Sequence, residues 1–414
     1  MTTTEKLFYE NPELYTCQAD VLAVEGSAES PVLVLDCTIF YPEGGGQACD
    51  LGTIESSDGK QSVEVVAVSD EAGVVRHFLA GPCPFKARDR LRLFVDRERR
   101  TDYSQQHTAE HLIGAIALRL LGAHVVSVHF GADRSYIDFD LPFISDEDLS
   151  AVEDEIEAAI AQDYAMRYHI CPPEDIASFP LRRKAPEVGD AALRVVEIDG
   201  LDYSACCGLH ATSTGKLRAV RLFPSEKYKG MTRVYFAAGS RATADYRAVS
   251  RIARDAAREL GTSEAQLAEV VARELSRRKE LEFQLGALER EKAAAEVAAT
   301  LAALPSAEGG TRVVAKRYND RAAASLMSTA KAFAEAGAIA ILASLPELTV
   351  QAVAPSSDAR LGERLKSPLA TEGGKGGGGP ANFRAVFKDE ASLERFMEAA
   401  EASLRGIRPS VTLD

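Results

Sequence analysis

His107 and His111 stand four apart in His-Thr-Ala-Glu-His, and far downstream Cys206 and His210 stand four apart in Cys-Cys-Gly-Leu-His. Imidazole and thiolate are the side chains that suit Zn²⁺. Residues four apart on a helix share one face, a turn from each other, so the four together read as one zinc site. The first pair is not the H-E-x-x-H of metalloproteases. Its carboxylate, Glu110, directly precedes the second histidine, and no base stands at the zincin position. Cys206 and His210 flank Gly208 in what reads as a tight turn, which aims two ligands at one metal. Cys207 reads first as a small buried thiol and second as an alternate ligand.

These residues need elements to hold them. From 14 to 95, short β-branched runs (TCQADVLAV, PVLVLDCTIFY, QSVEVVAVS, VVRHFLA, RLRLFV) alternate with turn-forming clusters, the pattern of a small antiparallel barrel or sandwich. From Thr101 the period changes: Ala109, Leu112, Ile113, Ile116, Ala117 and Leu120 recur at helical spacing up to Gly122, a C-cap. That helix carries the first pair. Strands at HVVSVHF and SYIDFDL, a helix over DEDLSAVEDEIEAAIAQDY, then RVVEI, LRAVRLF and TRVYFAAG predict a sheet with helices packed on it. From Ala242 to Leu304 the chain is mostly Ala, Glu, Arg, Leu and Lys, broken at Gly261, where Ser263 and Gln266 offer a capping box. Leu281, Leu285 and Leu288 keep a 4-3 seam, but Glu274 and Arg278 interrupt it upstream. A helical arm is expected rather than a sustained coiled coil. After PSAEGG come alternating strands and helices, a small α/β domain ending in a helix near 390 to 406. The fold class is thus α+β and multidomain: a barrel over 1–95, an α/β zinc-binding domain over 96–241, a helical arm over 242–305 and a C-terminal α/β domain over 306–414.

Charge and composition exclude several functions. A net charge of -14 over 414 residues argues against general nucleic-acid coating or adhesion to an anionic membrane, so any RNA contact is local. Seven cysteines with no C-x-x-C do not form a secreted disulfide frame. The N-terminal segment is charged where a signal peptide is apolar, and no apolar stretch approaches the ~18 residues of a membrane span. A cytoplasmic protein without membrane insertion is expected.

HTAEHLIGA followed by CCGLHATSTG resembles the editing domain of alanyl-tRNA synthetase and its free-standing relatives, the AlaX proteins. The glycine-rich FYPEGGGQACDLG, from Phe40 to Gly52, and the stretches SVHFGADRSYIDFDL and KGMTRVYFAAGSRA resemble that family in the same order, so the likeness covers residues 10 to 245. Gly373 to Phe383, GGKGGGGPANF, is similar to the C-terminal domain of the synthetase and of the long AlaX class. The resemblance implies zinc held by His107, His111, Cys206 and His210, and hydrolysis of mischarged alanine tRNA. The family's Cys-Gly-Gly-Thr-His is here Cys-Cys-Gly-Leu-His, so Cys207 replaces a glycine and Leu209 a threonine. No aminoacylation module or ATP-binding signature is read, so removal rather than attachment of amino acids is expected.

An aminoacyl ester must be held, its carbonyl polarised and water presented, and zinc can supply polarisation or an activated water. Glu43 and Gln47 are placed beside the aminoacyl end, Ser127 or His129 in the wall, and Thr108 within reach of a serine hydroxyl. Glu43 reads equally as a solvated turn carboxylate, and Thr108 as a helix residue bonded to a preceding carbonyl. Lys216, Arg218, Arg221, Lys227, Lys229 and Arg233 cluster after the Cys/His turn against one acid, Glu226, a path for an acceptor stem that Arg99 and Arg100 extend. In the tail, Gly373, Gly374, Lys375, Gly376 and Gly377 let backbone N–H groups approach phosphate or ribose, with Arg360, Arg364 and Lys366 nearby. The expected function is a trans-acting, zinc-dependent deacylase of Ser-tRNA(Ala) and, second, Gly-tRNA(Ala), with tRNA as partner and a homodimer through arm or tail. The alternatives are a non-catalytic tRNA-binding protein with a structural zinc, and a zinc hydrolase of small esters or amides.

Overall fold

A computed structural model describes residues 3–186, 192–304 and 311–405. The chain divides into two compact units, 1–256 and 257–414, and the PSAEGG segment, 305–310, lies outside the described residues. The architecture is mixed α+β.

The first unit opens with a closed six-stranded barrel. Thr16–Gly26, Pro31–Leu35, Val74–Leu79, Ser62–Glu71, Gly52–Ser56 and Arg90–Val95 pair in that order and return to the first strand. Alternate side chains, among them Ala19, Leu33, Ile54, Val65, Val75 and Leu93, fill its interior, as the period of two requires. Closure depends on Gly52–Ser56, which bonds to Ser62–Glu71 on one side and Arg90–Val95 on the other. That strand was not expected. Only Ile54 among its five residues is fully buried, so it carries no readable alternation.

Asp96 caps the next helix, Arg97–Leu121, by accepting from the Arg99 amide at 3.1 Å. The helix therefore begins before Thr101, and it ends at Gly122 with φ 67° as expected. Its apolar side, Leu112, Ile113, Ile116 and Ala117, packs with Ile137, Phe139, Val234 and Phe236 of a sheet and with Val152 and Ile156 of helix Asp146–Gln162. The sheet orders as Val220–Leu222, Met231–Ala238, Ser135–Phe139 and Val125–Phe130, with Glu226–Tyr228 also on Met231–Ala238. A separate three-stranded sheet, Met166–Cys171, Leu193–Ile198 and Asp202–Ala205, delivers the chain to Cys206.

Asp138 and Arg233 face each other in register, as do Asp138 and Ser127. Arg233 donates from Nε at 2.7 Å and Nη2 at 3.0 Å, and Ser127 from its hydroxyl at 2.6 Å. The Arg233 guanidinium, with the Ser127 hydroxyl, holds the Asp138 carboxyl below the usual carboxylate range. Its folded pKa is lower than its unfolded one, so its stabilisation is present above the ordinary aspartate value of about 3.9 and is lost as pH falls through the folded value. Asp138→Asn is expected to cost about 2 kcal/mol at pH 7 and to flatten the acid limb of stability. Urea unfolding at pH 7, 5 and 3 checks this; an unchanged pH slope in the variant would refute it.

In the second unit, Leu267–Ala303 is a single long helix. The expected capping box is absent: Ser263 makes no side-chain cap bond, and a 3₁₀ turn over Glu264–Gln266 precedes the helix. Leu281, Phe283, Leu285 and Leu288 are more than half exposed along it. Beyond it, Arg312–Tyr318, Ala338–Ser344, Thr349–Val353, Asn382–Val386 and Lys375–Gly378 form a five-stranded sheet in that order. Only the first pairing is parallel. Helices Ala323–Glu335 and Glu390–Leu404 accompany the sheet. The glycine run is an exposed edge strand rather than a loop.

Candidate metal centre and cleft

His107 and His111 project from one face of helix Arg97–Leu121, and Cys206 and His210 approach from the loop after Asp202–Ala205. One ligand atom from each of the four lies within 4.8 Å of all the others. Cys206 Sγ is 3.3 Å from His107 Nε2 and 3.5 Å from His210 Nε2. Cys207 is outside this group and is exposed rather than buried.

Each imidazole has a partner behind it. His107 Nδ1 meets Gln47 Oε1 at 2.9 Å, and the same oxygen accepts from the Leu209 amide at 3.0 Å. His210 Nδ1 lies 3.3 Å from Thr108 Oγ1, which accepts from the Ala211 amide at 2.9 Å. His111 Nδ1 lies 3.3 Å from Asp202 Oδ2. Partners on Nδ1 hold the His107 and His210 rings with Nε2 forward, while Asp202 lies behind His111 at ion-pair distance without a hydrogen bond to Nδ1; this is the usual side of support for metal-bound histidine. Burial works against the Cys206 thiolate, yet His107 and the other two imidazoles bring its pKa well below the ordinary thiol range. Burial, then His107 and His111, push His210 well below its ordinary value. Burial also opposes charge on His111, but Asp202 and Cys206 outweigh it and hold that ring up to about 10. Three buried nitrogens and a thiolate-prone sulfur, all backed by oriented partners, fit a divalent metal ion with N/S preference.

His107, His111 and Cys206 line a cleft of about 560 Å³ together with Gly45, Gly46, Val128, Phe130, Glu110 and Arg183 among others. Gly45 and Gly46 adopt φ 60° and 80°, which only glycine takes without strain, so the glycine-rich segment presents bare backbone here. A second cleft, about 630 Å³, reaches His210 from another direction and is lined by Arg97, Thr101, Lys216 and Arg218.

The other expected residues separate. Gln47 and Thr108 are buried and touch the histidines, but as supports: neither borders the cleft. Ser127 lines the cleft with its hydroxyl committed to Asp138. Two expectations need correction. Glu43 is exposed and outside the lining, and His129 lies against Tyr136 at 5.1 Å between ring centres while its neighbour Phe130 faces His107 at 4.9 Å.

The basic set also needs correction. Arg100 is 1% exposed and gives its guanidinium to Asp50 and to the Pro12 and Ile39 carbonyls, so it has no face for RNA. Arg99 is spent on the Cys49 carbonyl and stacks on Tyr103. Arg221 pairs with Asp245, and Arg233 with Asp138 between Tyr136 and Tyr228. Lys216, Arg218, Lys227 and Lys229 are exposed, as are Gly373, Lys375, Gly376 and Gly377, with Gly374 half-buried.

Reading the sequence missed Asp202, Arg182, Arg183 and Arg194. Arg194 donates to the Cys206 and Gly208 carbonyls at 3.0 and 2.8 Å and lies over Tyr9 and Tyr168. The run Leu181-Arg182-Arg183-Lys184 was a visible basic signal. Asp202 and Arg194 offered none, since their partners are distant in sequence or are backbone carbonyls.

Residues 3–99 match the family described as tRNA synthetases class II (A), and residues 193–235 match the second additional domain of threonyl and alanyl tRNA synthetases. The alanine–tRNA ligase of Halorubrum lacusprofundi is 32% identical over 415 residues, covering 98% of this chain and 44% of that protein. That of Methanoregula boonei is 31% identical over 386 residues, covering 91% and 41%. The alanyl-tRNA editing protein Aarsd1 of Mus musculus is 32% identical over 211 residues, covering 50% and 49%. The chain spans less than half the length of these relatives. It carries domains of the alanyl-tRNA synthetase type. More particularly, it is homologous to an alanyl-tRNA editing protein, and an AlaX-like relation is consistent with that. Among the described residues no helix is long and apolar enough to cross a membrane.

Proposed function

We propose that the chain is a zinc-dependent aminoacyl-tRNA deacylase that acts in trans on mischarged tRNA(Ala), with Ser-tRNA(Ala) the leading substrate and Gly-tRNA(Ala) the second. One observation carries the reading: His107, His111, Cys206 and His210 converge, and the first three line a cleft of about 560 Å³, in a chain homologous to an alanyl-tRNA editing protein. An alanine site cannot exclude the smaller glycine and discriminates weakly against one added hydroxyl, so a second, hydrolytic site has a task.

In this reading the four residues hold the ion, and Gln47, Thr108 and Asp202 orient the three imidazoles. When bound, zinc supplies Lewis acidity and a lowered pKa for water. Val128 and Phe130 shield the reacting ester from bulk water, and the bare backbone at Gly45 and Gly46 lets the terminal nucleoside approach closely. Arg183, with its side chain 42% exposed at the cleft, is placed for the negative charge of the RNA end. The working layout is barrel, editing domain, arm from 242 and C-terminal domain from 306, with the exposed glycine strand as a further tRNA contact.

The test is a deacylation panel of seryl-, glycyl- and alanyl-tRNA(Ala), with and without chelator. Rapid loss of the seryl ester, sparing of the alanyl ester, loss of activity with chelator and recovery with Zn²⁺ are expected. Four protein donors complete a tetrahedral shell, which favours a structural ion. In that second reading all three esters survive while tRNA still binds.

A further inference from the structure

We propose that Arg182 is a positioning residue for the metal ligand His111, acting through Asp202; this rests on the metal-site reading above. The side chain of Arg182 is 5% exposed and that of Asp202 1%. Arg182 Nε donates to Asp202 Oδ1 at 2.9 Å, and its backbone amide donates to the Tyr203 carbonyl at 2.8 Å. The other carboxylate oxygen, Oδ2, accepts from Ser204 Oγ at 2.9 Å and lies 3.3 Å from His111 Nδ1. Asp202 is thus held on both oxygens, with Oδ2 the charged atom behind the His111 ring, at ion-pair distance from an Nδ1 that has no hydrogen-bond partner of its own.

Two locally unfavourable features meet at this point. The guanidinium is buried with Nη1 and Nη2 lacking hydrogen-bond partners, and a Glu110 carboxylate oxygen stands 3.6 Å from Nη2. Idle donors on a buried cation reduce stability. The helix has a glycine, Gly114, in its interior one turn past His111, where a Cβ would meet Arg182 Nη1 at 2.1 Å and Cζ at 2.7 Å. A glycine there weakens the helix. Neither feature adds to the fold, and together they admit one guanidinium to the back of one ligand. A carboxylate behind a metal-bound histidine fixes its tautomer and orientation, and losing such a partner typically weakens metal binding 10- to 100-fold. Arg183 is not equivalent: it is tied to Glu110 at 2.8 Å and is exposed at the cleft.

The experiment uses the full chain and Co²⁺ alone as probe, with affinity from chelator competition and ligand geometry from the visible absorption of the bound ion. Arg182→Met and Asp202→Asn are each expected to weaken Co²⁺ binding ~10- to 100-fold and to alter the visible bands. The double variant should bind no worse than Asp202→Asn, because the arginine acts through the carboxylate. Arg182→Lys, which keeps the charge and loses the fork, should recover part of the affinity, and it carries the same cycle if Arg182→Met does not fold. Wild-type affinity in Arg182→Met, or an equal loss on both backgrounds, would overturn the proposal. If the unaltered chain takes up no Co²⁺ at all, the metal-site reading fails first, a result distinct from either of those.

Discussion

Gly208→Ala is expected to cut divalent-ion affinity and ester hydrolysis by at least ~100-fold, the scale that a misplacement of about 1 Å can cost a site. Gly208 lies between Cys206 and His210, and a Cβ there would fall 1.9 Å from His107 Cε1, 2.3 Å from Nδ1 and 3.1 Å from Gln47 Oε1. No neighbour is free to yield. His107 is 3% exposed, faces Phe130 and is bonded to Gln47, which also takes the Leu209 amide. The Gly208 carbonyl is itself held by Arg194 at 2.8 Å. Relief must come from the loop backing away, which carries Cys206 and His210 off the helix. Isothermal titration with Zn²⁺ and a deacylation time course measure the two losses. A variant with the parent's affinity would show that the close approach of loop to ring is dispensable.

Arg100→Met is expected to destabilise the first unit by about 3–5 kcal/mol, the cost of leaving one member of a buried ion pair alone. Arg100 and Asp50 are both nearly solvent-free. The Nε of Arg100 bonds both carboxylate oxygens of Asp50, at 2.9 and 3.0 Å, and its η nitrogens take the Pro12 and Ile39 carbonyls at 3.0 and 2.5 Å. Asp50 also accepts from the Tyr41 amide at 2.6 Å. One guanidinium thus ties the helix start to three segments of the barrel side. Replacing both partners, in Arg100→Met with Asp50→Leu, should cost less than Arg100→Met alone, since no orphaned carboxylate remains. Urea unfolding of the three proteins decides it, and a single-variant loss under about 1 kcal/mol would mean that water reaches Asp50.

The convergence of His107, His111, Cys206 and His210 could be read from the chain because its information is local: two donor side chains per segment at helical or turn spacing, of types with few other uses in pairs. Most strands were equally legible, since their alternation is written residue by residue. Gly52–Ser56 escaped because it has one interior side chain, and its role as the closing strand exists only when both neighbours are present. Within the basic cluster after the Cys/His turn, the pairing of Arg221 and Arg233 with acids was unreadable for a related reason. A cation in sequence carries no sign of the acid that will face it, and Asp138 meets Arg233 only through strand register. Arg182 and Asp202 lay hidden for the same cause: what distinguishes them is the His111 ring, on a helix 71 and 91 residues earlier.

Two turns of one rod separate the barrel-locked Arg100 from the donor His107. Inheritance should feel this. A crossover between related genes that brought in a foreign barrel while keeping the native helix would have to import a matching acid at position 50, or the hybrid would strand a charge and rotate the donors out of phase. Asp50, Arg100, His107 and His111 are therefore expected to be needed together, and chimeras should tolerate seams within the second unit far better than at the residue 95–96 junction.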